Sequence, residues 1–177
     1  MTEGVESADL WTFILGIYAR PGVAASCLRL QEAHGLDVPL FLAMLYGGLR
    51  GHALDAQTTI MIDRDCAVWR EAVIRPLRRI RRDMKKQHFL DLHPNVPTLR
   101  EAIKLQELEA ERIEVELLDA AIKLSSRTSG PASEATLAMV AQNVLDLCDP
   151  RRDMRLPEDA CHIIRNCLDF PIANAGN

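Results

Sequence analysis

Residues 38–49 form the segment that most constrains how this chain can fold. The segment has no charged residue, and it reads VPLFLAMLYGGL. Asp37 stands before it as a helix N-cap and Pro39 falls in its first turn, so the pattern predicts a helix. A helix that is apolar nearly all round is normally the buried centre of a bundle. Gly47 and Gly48 near its end permit a neighbouring helix to approach closely.

Amphipathic helical patterns account for most of the remaining chain. Apolar residues recur every three or four positions, and no stretch shows the alternation typical of a β-strand. We therefore expect an all-α protein, a bundle of six or seven helices. The predicted helices span about residues 9–18, 21–34, 37–49, 55–86 (divided at Pro76), 98–125, 132–148 and 157–168.

The chain length favours one domain. A chain of 177 residues is large enough to bury a core without disulfides or metals. Within a single domain over 1–177 we expect an N-terminal helical half over 8–86. A C-terminal helical hairpin with a short last helix is expected over 98–168. Its long first helix begins at the capping box formed by Thr98 and Glu101. Residues 169–177 are expected to be a frayed tail.

Positive charge is concentrated in one part of an otherwise acidic chain. The formal net charge is −4, yet residues 64–86 carry nine Lys/Arg and three acidic residues. That segment has a net charge of +6, and the remaining chain carries −10. A protein that binds nucleic acid non-specifically is normally basic as a whole, so nucleic acid is not the expected partner.

The basic segment predicts a helix with one arginine-rich face. Stepping by 100° per residue places Cys66, Trp69, Val73, Leu77, Ile80 and Met84 on one side, which we expect to face the core. The opposite side carries Arg75, Arg78, Arg79, Arg82 and Lys86. Pro76 must kink or divide this helix, because its ring clashes with the preceding turn.

Three interpretations of this face remain open. Glu107, Glu111 and Glu114, close together on the long acidic helix, can neutralise it within the chain. Alternatively, the face binds an acidic protein or a phosphorylated ligand, because guanidinium groups make bidentate contacts to phosphate. Docking on a lipid surface is the third, although the apolar side of the helix is needed in the core.

A different function class is a helical enzyme or small-ligand binder. Aromatic residues are concentrated in the first 70 positions, which favours an apolar pocket there. Trp11, Tyr18, Tyr46 and Trp69 are the candidate lining residues, with Arg75 and Arg78 orienting an acidic head group. The two hypotheses differ in whether these aromatics line a cavity or belong to a packed core.

The longest predicted helix suggests a third possibility, homo-oligomerisation. Apolar residues follow a heptad-like seam from Ile103 to Leu124, and a second apolar side includes Leu108, Val115, Leu118 and Ile122. Two apolar sides indicate a helix that contacts two neighbours.

The N-terminal half resembles a proteobacterial family of unknown function over about residues 8–86. The matching residues are Trp11, Tyr18, Pro21-Gly22-Val23-Ala24, Cys27-Leu28, Leu30-Gln31, His34-Gly35, Asp37-Val38, Trp69 and Arg75-Pro76-Leu77-Arg78. The resemblance implies a bacterial cytoplasmic protein and supplies no catalytic residue.

Catalytic and metal signatures are weak. His88, His93 and Asp91 share one loop, and Cys161 and His162 precede Cys167, but neither set has the paired spacing of a zinc site. Asp149 and Asp153 have the D-x-x-x-D spacing with which helical isoprenoid synthases hold magnesium pyrophosphate, but Pro150 interrupts the helix that this spacing needs. We therefore expect no cofactor or metal, no nucleophilic catalysis and a non-enzymatic binding or regulatory role.

Cysteine usage and hydropathy bear on the compartment. The five cysteines are scattered and odd in number, without a C-x-x-C pair, as in reduced cytoplasmic proteins. The first nine residues are acidic, whereas a signal peptide begins with basic residues, and the 38–49 segment is too short to cross a bilayer. These features predict a cytoplasmic protein without a membrane span.

Overall fold

The computed structural model describes residues 9–128, 132–151 and 155–171, and helices dominate all three ranges. The helices are α1 (Leu10–Tyr18), α2 (Val23–His34), α3 (Val38–Leu49), α4 (Ala56–Trp69), α5 (Arg75–Asp83), α6 (Gln87–Leu90), α7 (Val96–Lys123), α8 (Glu134–Cys148) and α9 (Glu158–Leu168). A π-helical turn, Arg70–Ile74, joins α4 to α5 without a break. The all-α prediction is confirmed. The seven expected helices correspond to these elements if α4, the π turn and α5 count as one helix and the one-turn α6 is set aside.

Asp37 caps α3 as the sequence predicts, and aspartates and a glycine bound other N-terminal helices in the same way. Asp9, Asp37 and Asp55 each accept a hydrogen bond from a backbone N–H in the first turn that follows. Gly35 ends α2 in the left-handed conformation, with φ 67°. The long helix α7 departs from its prediction: it begins at Val96 with Pro97 in the first turn, ahead of the expected Thr98 capping box.

Helix α3 is the centre of the bundle, as its composition predicts. Its residues from Leu40 to Gly48 are all buried, and it packs against α1, α7, α8 and α9. A Cβ on Gly47 would lie 2.8 Å from Ile122 of α7, and one on Gly48 would lie 3.0 Å from Leu137 of α8. Two adjacent glycines therefore let α3 approach α7 on one side and α8 on the other.

The position of α3 changes the expected C-terminal hairpin. Helices α7 and α8 follow each other in the chain, but in the described residues α7 packs mainly against α3 and α5, and α8 packs mainly against α3 and α9. The loop before α8 instead contacts the loop after α3, where Ala53 N–H donates to Ser126 O at 2.7 Å and Thr128 N–H donates to Gly51 O at 2.8 Å. The apolar helix is thus inserted between the two helices that we expected to pair. Most of the predicted frayed tail, residues 172–177, lies outside the described residues.

Candidate functional site

The π-helical turn sets which side of the basic helix faces the protein. Arg75 N–H donates to Arg70 O, an i to i−5 bond, and Pro76 follows immediately. A wider turn accommodates the proline, which has no N–H and whose ring would crowd the carbonyl one turn earlier. The extra residue in this turn changes the register of the helix that follows. Ile74 within the turn is buried and Ile80 after it is 45% exposed, while Met84 stays buried as predicted. The predicted core position of Ile80 is therefore wrong, because a uniform 100° step does not hold across a π turn.

The same turn buries a charged side chain, Arg70, among three carboxylates. Arg70 Nε lies 2.8 Å from Glu114 Oε1 and 2.9 Å from Asp37 Oδ2, and Nη1 lies 2.7 Å from Asp63 Oδ1. Arg70 and Glu114 are buried, and the Asp37 and Asp63 side chains are largely so. We call these four residues the Arg70 cluster. It joins the start of α3, α4, the π turn and α7.

The Arg70 cluster has more negative than positive charge. One Nε–H faces both Asp37 and Glu114, and it makes its hydrogen bond to Glu114. Burial and the nearby charge of Asp37 raise the pKa of Glu114 to about 7, although Arg70 acts in the opposite direction. Arg70 Nη2 and Glu114 Oε2 have no hydrogen-bond partner among the described residues. Glu114 is therefore a buried carboxyl group that titrates near neutrality.

Two arginines of α5 form a second set of ion pairs with α7. Arg78 Nε lies 3.0 Å from Glu107 Oε1, and Arg78 Nη2 also pairs with Glu111. Arg81, which the sequence analysis left outside the arginine face, pairs with Glu107 as well. Burial raises the pKa of Glu111, and Arg78 opposes this shift. Intramolecular neutralisation of the face is thus real for Arg78, whereas Glu114 pairs with Arg70 instead.

The other predicted face residues are exposed. Arg75 pairs with Glu71 at 2.8 Å and Lys86 pairs with Asp83 at 2.7 Å, both within one helical turn. Arg79 and Arg82 are exposed, and neither makes an ion pair within the described ranges. Exposed pairs of this kind contribute little to stability. Two guanidinium groups therefore remain available at the surface, next to two that are weakly or internally paired.

These arginines border a cleft between the end of α2 and α5. Two adjoining cavities, of about 210 and 360 Å³, share Gln31, Arg75, Arg78 and Arg82 in their walls. Arg70 and Asp37 also line the smaller cavity, and Arg79 and Asp83 line the larger one. We call the two together the arginine cleft. Its lining combines a row of guanidinium groups on one helix with two members of the Arg70 cluster.

The aromatic residues predicted to line a pocket lie in different places. Trp69 Nε1 donates to Ala110 O at 2.9 Å, and Tyr18 is close enough to Arg78 and Glu111 to feel their charges. Tyr46 instead packs on Phe13, with ring centroids 5.1 Å apart, and interacts with Lys123.

Ala110 and Lys123 are 13 residues apart on α7, about 20 Å along its axis. Trp11 is partly buried against the core. The structure therefore brings Tyr18 and Trp69 to the arginine-rich end of the bundle and Tyr46 to the other.

The predicted seam on α7 is largely on the outside. Ile113, Leu117 and Leu124 are exposed, whereas Val115, Leu118 and Ile122 of the second apolar side are buried. The buried face of α7 also includes Glu107 and Glu114, which an apolar pattern does not select.

The remaining candidates have structural contacts. His34 lies in the last turn of α2, and its Nδ1 is 2.9 Å from Asp149 Oδ2. Asp153, the second aspartate of the magnesium spacing, lies outside the described residues. Within the ranges that the structure covers, no three His, Cys, Asp or Glu side chains are arranged to hold a metal ion.

Sequence reasoning missed Arg70, Arg81, Asp37 and Asp63 as members of this site. Arg70 and Arg81 fall outside the arginine face if the helix is regular, and Asp37 and Asp63 read as a cap and a surface residue. The available signal is Pro76, since a proline inside a continuous helical pattern implies a change in helical register before it.

Among the described helices, none by itself is both long and apolar enough to cross a membrane; α1 and α2 pass only when taken together, and they are bent by 96°.

Comparisons with known proteins support the family resemblance and add no activity. No curated protein and no solved structure matches the chain. The chain does match the family described as protein of unknown function (DUF2390), over residues 9–118. This range includes the π turn, the Arg70 cluster and the whole arginine cleft, and it extends beyond the 8–86 resemblance. The chain belongs to DUF2390, a family of unknown function.

Proposed function

We propose that this protein is a non-enzymatic binding protein that holds a phosphoryl-bearing ligand in the arginine cleft. The observation that carries the proposal is the pair of exposed guanidinium groups, Arg79 and Arg82, beside Arg75 and Arg78 in one concave surface. Phosphate oxygens accept parallel hydrogen bonds from the planar guanidinium fork, and several such groups together match a compact dianion. The ligand is a small phosphorylated molecule or a phosphorylated side chain of a partner.

The cleft also contains the two arginines that the small-ligand hypothesis assigns to an acidic head group. Arg75 and Arg78 line the cleft, and Tyr18 lies near Arg78. The supporting features for an enzyme are fewer, since the site has no nucleophile and base in hydrogen-bond contact. The five cysteines are free, which supports our proposal that the protein acts in the reducing cytoplasm.

We expect the double variant Arg79→Gln/Arg82→Gln to bind phosphoryl ligands at least tenfold more weakly than the unmodified protein. Each substitution removes a charged donor, and a hydrogen bond to a charged group contributes about 1.5–3 kcal/mol. Calorimetric titration with inorganic phosphate, a phosphoserine peptide and its unphosphorylated, glutamate-containing counterpart measures this loss. Because the arginines are exposed, binding should also weaken with added salt.

Arg64→Gln is the matched control for these variants. Arg64 is an exposed arginine of α4, outside the cleft, and its neighbour Asp65 is 3.7 Å away. Its substitution should leave phosphate binding unchanged. Equal losses in the control and the double variant, or tighter binding of the glutamate peptide than of the phosphopeptide, would contradict a phosphoryl-specific site.

We also propose that a second copy of the chain covers the exposed seam of α7. Ile113 and Leu117 are exposed side by side, and the oppositely charged Arg112 and Glu116 flank them. In an antiparallel pairing about residue 114, Arg112 of one copy faces Glu116 of the other, as a two-fold axis allows.

Light scattering should give a molar mass twice the 19.8 kDa of one chain, and the Leu117→Glu variant should have the mass of a single chain. A strict monomer of the unmodified protein would refute this pairing.

A further inference from the structure

The arginine cleft and the Arg70 cluster are one electrostatic unit, because they share side chains. Asp37 and Arg70 line the smaller cavity of the cleft. Arg70 contacts Glu114 directly, and Asp37 contacts the same Arg70 nitrogen that Glu114 does. Asp37 Oδ2 and Glu114 Oε1 both lie within 2.9 Å of Arg70 Nε, so these oxygens are less than about 6 Å apart. A charge that enters the smaller cavity would therefore lie next to Arg70, the hydrogen-bond donor to Glu114.

We infer that binding of a phosphoryl or sulfate dianion in the arginine cleft is coupled to uptake of a proton by Glu114, so that the ligand binds more tightly below neutral pH than above it. The inference rests on the proposed function and concerns how the same site is regulated. It requires that Glu114 be buried, close to a second carboxylate and connected to the ligand through Arg70. The structure shows the first two conditions, and Arg70, which would make the connection, lines the smaller cavity of the cleft.

The surroundings of Glu114 explain why a bound anion favours its neutral form. The ionisable groups that interact with it are Asp37 before α3, Cys66 of α4, Arg70 of the π turn and Glu111 of α7. Asp63 of α4 pairs with Arg70, and Cys148 of α8 is close to Asp37 and Arg70. Arg70 is the cation that donates a hydrogen bond to Glu114, and it also donates one to Asp63.

A dianion near Arg70 competes with ionised Glu114 for the positive charge of the same guanidinium group. The neutral form of Glu114 depends less on this positive charge, because burial in the interior raises the free energy of the ionised form only.

The direction of the pH effect follows from linkage. The pKa of Glu114 in the free protein is about 7, and an added negative charge raises it. The bound state therefore carries more protons than the free state around neutral pH. Affinity falls as pH rises through this range, by about fivefold for a modest coupling between the two sites.

The test uses sulfate as the probe, since a phosphate group itself titrates within the pH range of interest and would obscure the effect. Sulfate binding to the full chain is measured by calorimetry between pH 6 and 8.5, in pairs of buffers with different ionisation enthalpies. We expect proton uptake on binding and an affinity that decreases about fivefold across the range. In Glu114→Gln the uptake should disappear, whereas Glu116→Gln, an exposed control on the same helix, should retain it.

Two further measurements separate the alternatives. His34 lies next to Gly35 of the cleft and is paired with Asp149, so His34→Gln is the control that must keep the proton uptake. Carboxyl ¹³C NMR of the unmodified protein should show one glutamate whose midpoint rises when sulfate is added, which serves if Glu114→Gln does not fold.

Sulfate binding that is independent of pH, or uptake that survives Glu114→Gln and is lost in His34→Gln, would overturn the inference. Absence of binding by every anionic probe would instead refute the proposed function itself.

Discussion

Replacing Arg70 with methionine should lower the free energy of unfolding by about 3–5 kcal/mol. The substitution keeps most of the side-chain volume but leaves Asp37, Asp63 and Glu114 around a neutral group in the interior. Unpaired buried carboxylates are costly, because they lose both water and their counter-ion. Urea unfolding at pH 8, followed by circular dichroism, measures the change.

The loss should be smaller at lower pH. Protonation of Glu114 in the folded variant removes one of the three negative charges as the pH falls. It begins at a higher pH than in the unmodified protein, because Arg70 lowers the pKa of Glu114. Arg64→Met, in which an exposed arginine is removed, should change the free energy of unfolding by less than about 0.5 kcal/mol. A loss of similar size in both variants would mean that Arg70 does not hold the cluster together.

The neighbouring leucines of α7 should respond very differently to truncation. Leu118 is fully buried and Leu117 is 43% exposed. Leu118→Ala should destabilise the protein by about 2–5 kcal/mol, since it removes buried methyl groups and leaves a cavity in the core. Leu117→Ala should cost less than about 1 kcal/mol in the isolated chain.

This pair tests the rotation of α7 about its axis with two substitutions of identical chemistry. The comparison is made at low protein concentration, so that self-association does not add to the stability of the unmodified protein. If Leu117→Ala proved the more damaging of the two, the heptad-like seam would face the core and the structure would have α7 rotated the wrong way.

Most of the helices, though not the start of α7, were predictable because the determining interactions are local. Asp9, Asp37 and Asp55 each hydrogen-bond to a backbone N–H three residues away, so the signal and its consequence lie in the same short stretch. The burial of 38–49 was predictable for a related reason. An apolar segment of that length has no polar side to expose, whatever surrounds it.

The candidate site was predictable only in part. Position in a regular helix selects Arg75, Arg78, Arg79 and Arg82, and all four line the arginine cleft. Arg70 is inaccessible to the same reasoning, because the π turn changes the helical register between it and the residues that follow. The division of the glutamates between Arg70 and the α5 arginines also depends on how α7 packs, which no local pattern specifies.

The amino-acid sequence by itself determined that this is a helical bundle built around 38–49, with a basic face after Pro76. Only the tertiary structure decided that α3 separates α7 from α8, that Arg70 is buried with three carboxylates, and that Arg79 and Arg82 stay exposed. The physical reason is the range of the interactions. Helix formation and capping act within one or two turns, whereas the tertiary contacts of this protein join residues that are 26, 44 or 77 positions apart and meet only when the chain is folded.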